Sequence, residues 1–302
     1  MANSPSLTAI DLSQIPPPAA IEPLSFETLY EAFKAAFLAF WAEAQAKDPT
    51  LPDYNVEMLE VDPAAIIGQA WSYIRLLDRA RVNDAVRAVL APLAKGTDLD
   101  NIAARQGVLR LETAPGVPET DEQLLKRYLL SFGRASAGSI DRILFDAYTA
   151  WPGMWDARVN GWAVHGRRGE IDLVISGPAG VTPPEQLATV RAAVTSSSAK
   201  PEAIGMFVLA AVPLNYAVVQ AITVPVGPDP DLLQEEAVSR VTSTTDARHL
   251  IGGTVKRDLV AGAAYGASIV SVSHSSPPAD VVATPYQIPV RTGVEIAFEV
   301  SG

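Results

Sequence analysis

The stretch Lys95-Gly96-Thr97-Asp98-Leu99-Asp100 sets two carboxylates two positions apart behind a glycine turn. With His165, such a pair could do general acid–base work in a soluble, hydrolase-like α/β enzyme. The same spacing has a plainer use: helix starts attract negative charge, with Thr97 as the cap and Asp100 reaching back to it. His165, His249 and His274 are widely separated and lack the i, i+4 or clustered-carboxylate spacing of a metal site. No GxSxG elbow, Walker loop or GxGxxG fingerprint occurs, and Thr195 to Ser198 is a polar loop with no visible base to activate a hydroxyl. Ile251-Gly252-Gly253-Thr254 reads as a helix start. Its rival use is an anion nest in a small-molecule binding module. The residues themselves point to no catalytic, cofactor or metal site, and the enzyme and the binding module stand as alternatives.

The elements around these residues start with a polar, proline-studded stretch over 1–22, in which Pro16-Pro17-Pro18 favours an extended arm. Ser25 then caps a helix on which Phe26, Leu29, Tyr30, Phe33, Phe37, Phe40, Trp41 and Ala44 recur at steps of mostly three and four. Such a stripe faces either a core or another subunit. Asp48-Pro49 ends that helix. Asp62-Pro63 opens a longer one, whose apolar positions Ile67, Ala70, Trp71, Ile74, Leu77, Val82, Ala85, Val86, Val89 and Leu90 carry it to Ala91, where Pro92 stops it. Arg79, Arg81 and Arg87 line its polar side, and Asn83 is placed to bond across to a loop. The helix after Thr97 ends at Gly107.

From about residue 118 the pattern changes to helices over 121–135 and 139–151 and strands over 154–160 and 170–177. A helix over 183–194 and two β-rich runs interrupted by Pro213 follow. Gly138 to Leu144 echoes Gly253 to Leu259, each leading through a helix to a strand. The final run, with Pro289, reads as edge strands. The fold class is α+β: an arm at 1–22, a helical assembly and dimerisation region at 23–115, and two small α/β modules at 116–213 and 214–302.

Charge and composition narrow the partners. With 34 acidic against 23 basic residues and no basic stripe, a phosphate backbone is repelled, and the aromatics lie on helical stripes beside acids, so nucleic acid is excluded as a partner. No apolar run long enough to cross a membrane and no signal peptide is visible, and the absence of cysteine removes disulfides and thiolate sites. A soluble intracellular product is expected. Residues 1–62 hold ten Asp or Glu against two Lys, whereas 63–112 hold seven Lys or Arg against five acids. That asymmetry fits solvated faces or electrostatic docking between segments or subunits.

Taken as a whole, the stretch from Glu60 to Arg110 resembles the baseplate J-like family of contractile phage tails and related injection particles. The matching residues are Asp62-Pro63, Arg81-Val82-Asn83, Gly96 to Asn101 and Gly107-Val108-Leu109-Arg110, with a looser likeness through Arg134 to Ala150 and Asp156 to Val159. Pro92 and the proline-rich start depart from the family pattern. The resemblance implies a non-enzymatic wedge subunit without cofactor. It would assemble in the bacterial host cytoplasm into the virion baseplate, form a ring around the hub and transmit rearrangement to sheath contraction. The partners implied are a second copy, other wedge proteins, and hub and sheath-proximal tail proteins. Separate modules on short linkers would allow rigid-body motion at interfaces. The interface residues expected on the two long helices are Leu29, Tyr30, Phe33, Phe37, Phe40, Trp41, Trp71, Arg75, Arg79 and Val86.

Overall fold

The computed structural model describes residues 16, 18–54, 62–196, 199–227 and 229–301. Most of the proline-rich arm, Glu60, Val61 and Ser197-Ser198 lie outside the described residues. The described residues up to Arg105 form one compact unit, and those from Gln106 on form another. A helical N-terminal region is followed by a sheet-containing one, the α+β arrangement expected.

In the first unit, helix α1 spans Phe26–Lys47 and starts where the Ser25 side chain accepts the Thr28 N–H. Helix α2 spans Pro63–Ala88, with the Asp62 carboxylate accepting the Ala64 N–H at 2.8 Å. It stops three residues short of the expected Ala91. Carried further, the Pro92 ring would meet the carbonyl four residues earlier, at Ala88. Helix α3, Thr97–Ala104, is capped by Gly96 at φ +54° and not by Thr97, which is already helical. Asp98 and Asp100 lie in its first turn, where the exposed amide groups favour negative charge.

The second unit opens with a hairpin of β1, Glu112–Ala114, and β2, Val117–Pro118. Helix α4, Asp121–Ser131, carries a complete capping box between Thr120 and Gln123, and Ser139 caps α5, Ile140–Ala150. Strand β3, Asp156–Asn160, runs antiparallel to β4, Glu170–Ser176, and β5, Gly205–Ala210, lies parallel to β4 on its other side. The short helix α6, Trp162–His165, joins β3 to β4, and α7, Pro184–Val194, joins β4 to β5. The second sheet has the order β10-β6-β8. Its strands are β6, Val212–Val224; β8, Ser271–Ser276; and β10, Gln287–Val300. Helices α8, Pro230–Asp246, and α9, Arg257–Ala263, lie between β6 and β8 in the chain, and the short strand β7, Thr254–Val255, pairs with β9, Val281–Val282.

Pro213 does not interrupt β6. It pairs only towards β10, while β8 meets β6 from Val219 onward, so no ladder bond on the other edge needs its missing N–H. Pro289 lies on β10, an edge strand, as its sequence context requires. Along β6 the side chains of Tyr216, Val218, Ile222 and Val224 alternate inward and join Val241 and Val260 in the core. The echo between Gly138 and Gly253 is real as helix-then-strand, but the second copy inserts β7 before its helix.

Candidate functional site

Helices α1 and α2 pack along faces of unlike size. The inner face of α2 is small, with Ala65, Gly68 and Ser72 buried, and the large rings of α1 come down on it. A Cβ at Gly68 would lie 2.4 Å from the Phe33 ring, so only glycine admits that contact. Phe33 lies 5.7 Å from Trp71 and 6.3 Å from Phe37, Phe37 lies 5.9 Å from Trp41, and Tyr54 closes on both Phe37 and Trp41. Leu29 is buried, and Tyr30, Phe33, Phe37 and Trp41 are half-buried within the chain.

Polar contacts fix the ends of this pair. The Tyr54 hydroxyl donates to Asp62 at 2.6 Å. That bond holds the Asp62 carboxyl below the usual range and pushes Tyr54 up to about 12. Asn83, buried on α2, accepts the Glu22 N–H at 3.1 Å and donates to the Glu22 carbonyl at 2.8 Å, while Arg79 pairs with the Glu22 carboxylate at 2.9 Å. The loop expected opposite Asn83 is thus the segment entering α1.

The opposite face of α2 is apolar and bare. Ile67 is 63% exposed, Ile74 60% and Leu77 51%, with Ile66, Trp71, Tyr73, Val82 and Val89 exposed beside them. Phe40 on α1 is 68% exposed. The apolar period read from Ile67 to Val89 is therefore the outward face, and the inward one is written in small residues at 65, 68 and 72. Of the residues named for an interface, Phe40, Trp71, Arg75 and Arg79 reach the surface. Arg75 stands 3.9 Å from Asp78, and Val86 is half-buried. Ile67, Ile74 and Leu77 belong to the same surface, and their spacing was the signal for them.

The residues first considered for chemistry are engaged otherwise. His165 accepts the Arg167 N–H at Nδ1, 3.0 Å, and its Nε2 lies 3.2 Å from the Asn160 carbonyl, so both ring nitrogens bond to the backbone. Asp98 and Asp100 belong to the other compact unit. The Gly252 and Gly253 N–H groups donate to the Gln287 and Leu250 carbonyls, each at 2.8 Å, and the Arg158 guanidinium lies against Gly252. Both glycine N–H groups are thus already spent on carbonyls. A cleft of about 560 Å³ is lined by His165, Arg167, Asp172, Phe207, Leu209 and Tyr286. Burial would raise the Asp172 carboxyl, yet bonds from Tyr286 and Arg167, each 2.6 Å, bring it below its ordinary value. The Tyr286 bond ties β4 to the residue before β10, and the Arg167 bond ties it to the loop leading into β4. Among the described residues no group of three metal-ligating side chains occurs.

Residues 60–116 match the sequence model of the Baseplate J-like N-terminal domain. The match covers α2, α3 and the first strand of the hairpin. Over 296 residues the chain is 27% identical to baseplate protein J of Escherichia phage P2, covering 90% of this chain and 92% of that protein. The motifs quoted above, Asp62-Pro63 through Arg110, fall inside the matched region. By these findings the chain is similar to the baseplate J-like family over residues 60–116 and to baseplate protein J of phage P2 along most of its length.

Proposed function

We propose that the chain is a wedge subunit of a contractile phage tail baseplate or a related injection particle, with a structural and not a catalytic role. The likeness to baseplate protein J, along nearly the whole of both chains, supports a structural role in a phage baseplate. The finer reading is that α1 and α2 dock against other wedge chains or a second copy, and that the two modules beyond residue 116 carry movement from the ring around the hub toward the sheath. One observation supports it above the others: the outward face of α2 exposes Ile67, Trp71, Ile74, Leu77, Val82 and Val89, with the charges of Asp78 and Arg81 set among them. Exposed large apolar side chains of this kind fit an interface, and the charges among them would give it orientation.

The test is exchange of Ile67, Ile74 and Leu77 for glutamine, a good helix former. The variant is expected to keep its helical content and to be lost from purified particles. Normal incorporation of the variant would remove this face from the assembly. Phe33, Phe37 and Trp41 serve the same proposal indirectly, as the support that holds α2 in place.

A further inference from the structure

The register of the first sheet puts Asp156, Arg158 and Asn160 of β3 on one face with Asp172 and Val174 of β4. Every one of these polar groups reaches across to the second sheet's connections. Asp156 accepts the Ile251 N–H at 2.8 Å, Arg158 donates to the Ile251 carbonyl at 3.2 Å, and Asn160 donates to the Pro285 carbonyl at 2.9 Å. Next to them Trp155 donates to the His249 carbonyl at 2.6 Å, and Tyr286 donates to Asp172. Within this polar rim Val174, Ala211, Ile251 and Ile288 form a buried apolar cluster drawn from both sheets. Gly252 completes the fit, since a Cβ there would lie 2.3 Å from the Arg158 guanidinium.

We propose that these contacts form a latch that makes the two sheets one rigid body across the Ala211–Val212 junction. Displacement applied at one sheet then arrives at the other without being absorbed between them. Three features support a latch over incidental packing. The partners on the second sheet's side are mostly backbone groups, which hold position whatever the side chains there. Asp156, Arg158 and Asn160 occupy alternate positions on one strand, so they act in register. Asn160 and Asp172 are buried and Asp156 and Arg158 half-buried, and an unpaired polar group away from water is costly. The latch lies wholly within the second compact unit, and it goes beyond the assembly role without depending on it.

The chain has no cysteine, so single cysteines in place of exposed Glu185 on α7 and Glu235 on α8 can carry the only two spin labels in the full-length protein. Pulsed dipolar spectroscopy should then give one narrow distance distribution. In the Asp156→Ala, Arg158→Ala, Asn160→Ala variant the distribution should broaden while each sheet keeps its secondary structure by circular dichroism. A broad distribution in the otherwise unsubstituted chain would overturn the single rigid body. An equally narrow one in the triple variant would overturn the latch as its cause. If the triple variant does not fold, Arg158→Ala alone, which empties the seat on Gly252, is read by the same two outcomes.

Discussion

At the scale of single residues, the most consequential pair is Glu119 and Arg127, whose side chains are 0% and 4% exposed. Arg127 bonds the Glu119 carboxylate at 2.5 Å and the Leu109 carbonyl at 3.1 Å, and the same carboxylate oxygen accepts the Leu111 N–H. Arg110, part of the family-like Gly-Val-Leu-Arg stretch, donates to the Glu119 carbonyl and to Asp121. The group of charges therefore pins the β1–β2 hairpin to α4. Removing one partner leaves the other charge buried, so Arg127→Met should cost about 3–5 kcal/mol in a urea melt, within the range for a broken buried pair. A loss under about 1 kcal/mol would mean the pair is redundant.

The Tyr54–Asp62 bond gives a second residue-scale test, with opposite signs at its two ends. Asp62 is held below its ordinary value, so its contribution is complete above that value and fades in acid as pH falls through the folded-state value. Tyr54 is held up at about 12, so its contribution is complete below the ordinary tyrosine value and fades only as pH rises through about 12. An ultraviolet titration of tyrosinate should lose one group ionising near 12 in the Tyr54→Phe variant. If the group lost ionises at the ordinary tyrosine value instead, the bond to Asp62 does not persist in solution.

At the scale of elements, the two faces of α2 divide the work. The face of Ala65, Gly68 and Ser72 lets α1 come close, and the face of Ile67, Ile74 and Leu77 is exposed, the face proposed for a partner. Gly68→Leu should wedge the helices apart at Phe33, since overpacking of this kind costs about 1–3 kcal/mol. The measurement is a thermal melt followed by near-ultraviolet circular dichroism of the stacked rings. An unchanged melting temperature would show that the α1–α2 contact is loose. Both helices were legible in the sequence because their signals are local: Ser25 and Asp62-Pro63 at the starts, and the period of large apolar residues between. Which face of α2 turns outward was not legible, because periodicity reports a stripe and not what covers it. The end at Ala88 and the cap at Gly96 were missed for local reasons of backbone geometry. The contacts of Asp156 with Ile251, 95 residues apart, had no local signal at all.

At the scale of the whole molecule, a helical unit with an exposed apolar face precedes an α/β unit whose two sheets are joined by part-buried polar contacts. In the proposed reading the first serves assembly and the second carries movement. The family resemblance was legible because Asp62-Pro63, Asn83, Gly96 and Arg110 occupy fixed places, and the structure assigns three of them physical tasks. Asp62 caps α2, Asn83 holds the segment entering α1, and Arg110 pins the hairpin.

As the proposed wedge subunit docked through the outward face of α2, this chain should bring its partners with it. The most direct measurement is a tagged pull-down from cells making the whole particle, run with the native chain and with the Ile67→Gln, Ile74→Gln, Leu77→Gln variant. Other tail proteins and an untagged copy should be recovered in fixed ratio with the native chain and should be lost with the variant. Recovery of the native chain alone, from a preparation in which intact particles are present, would contradict the claim.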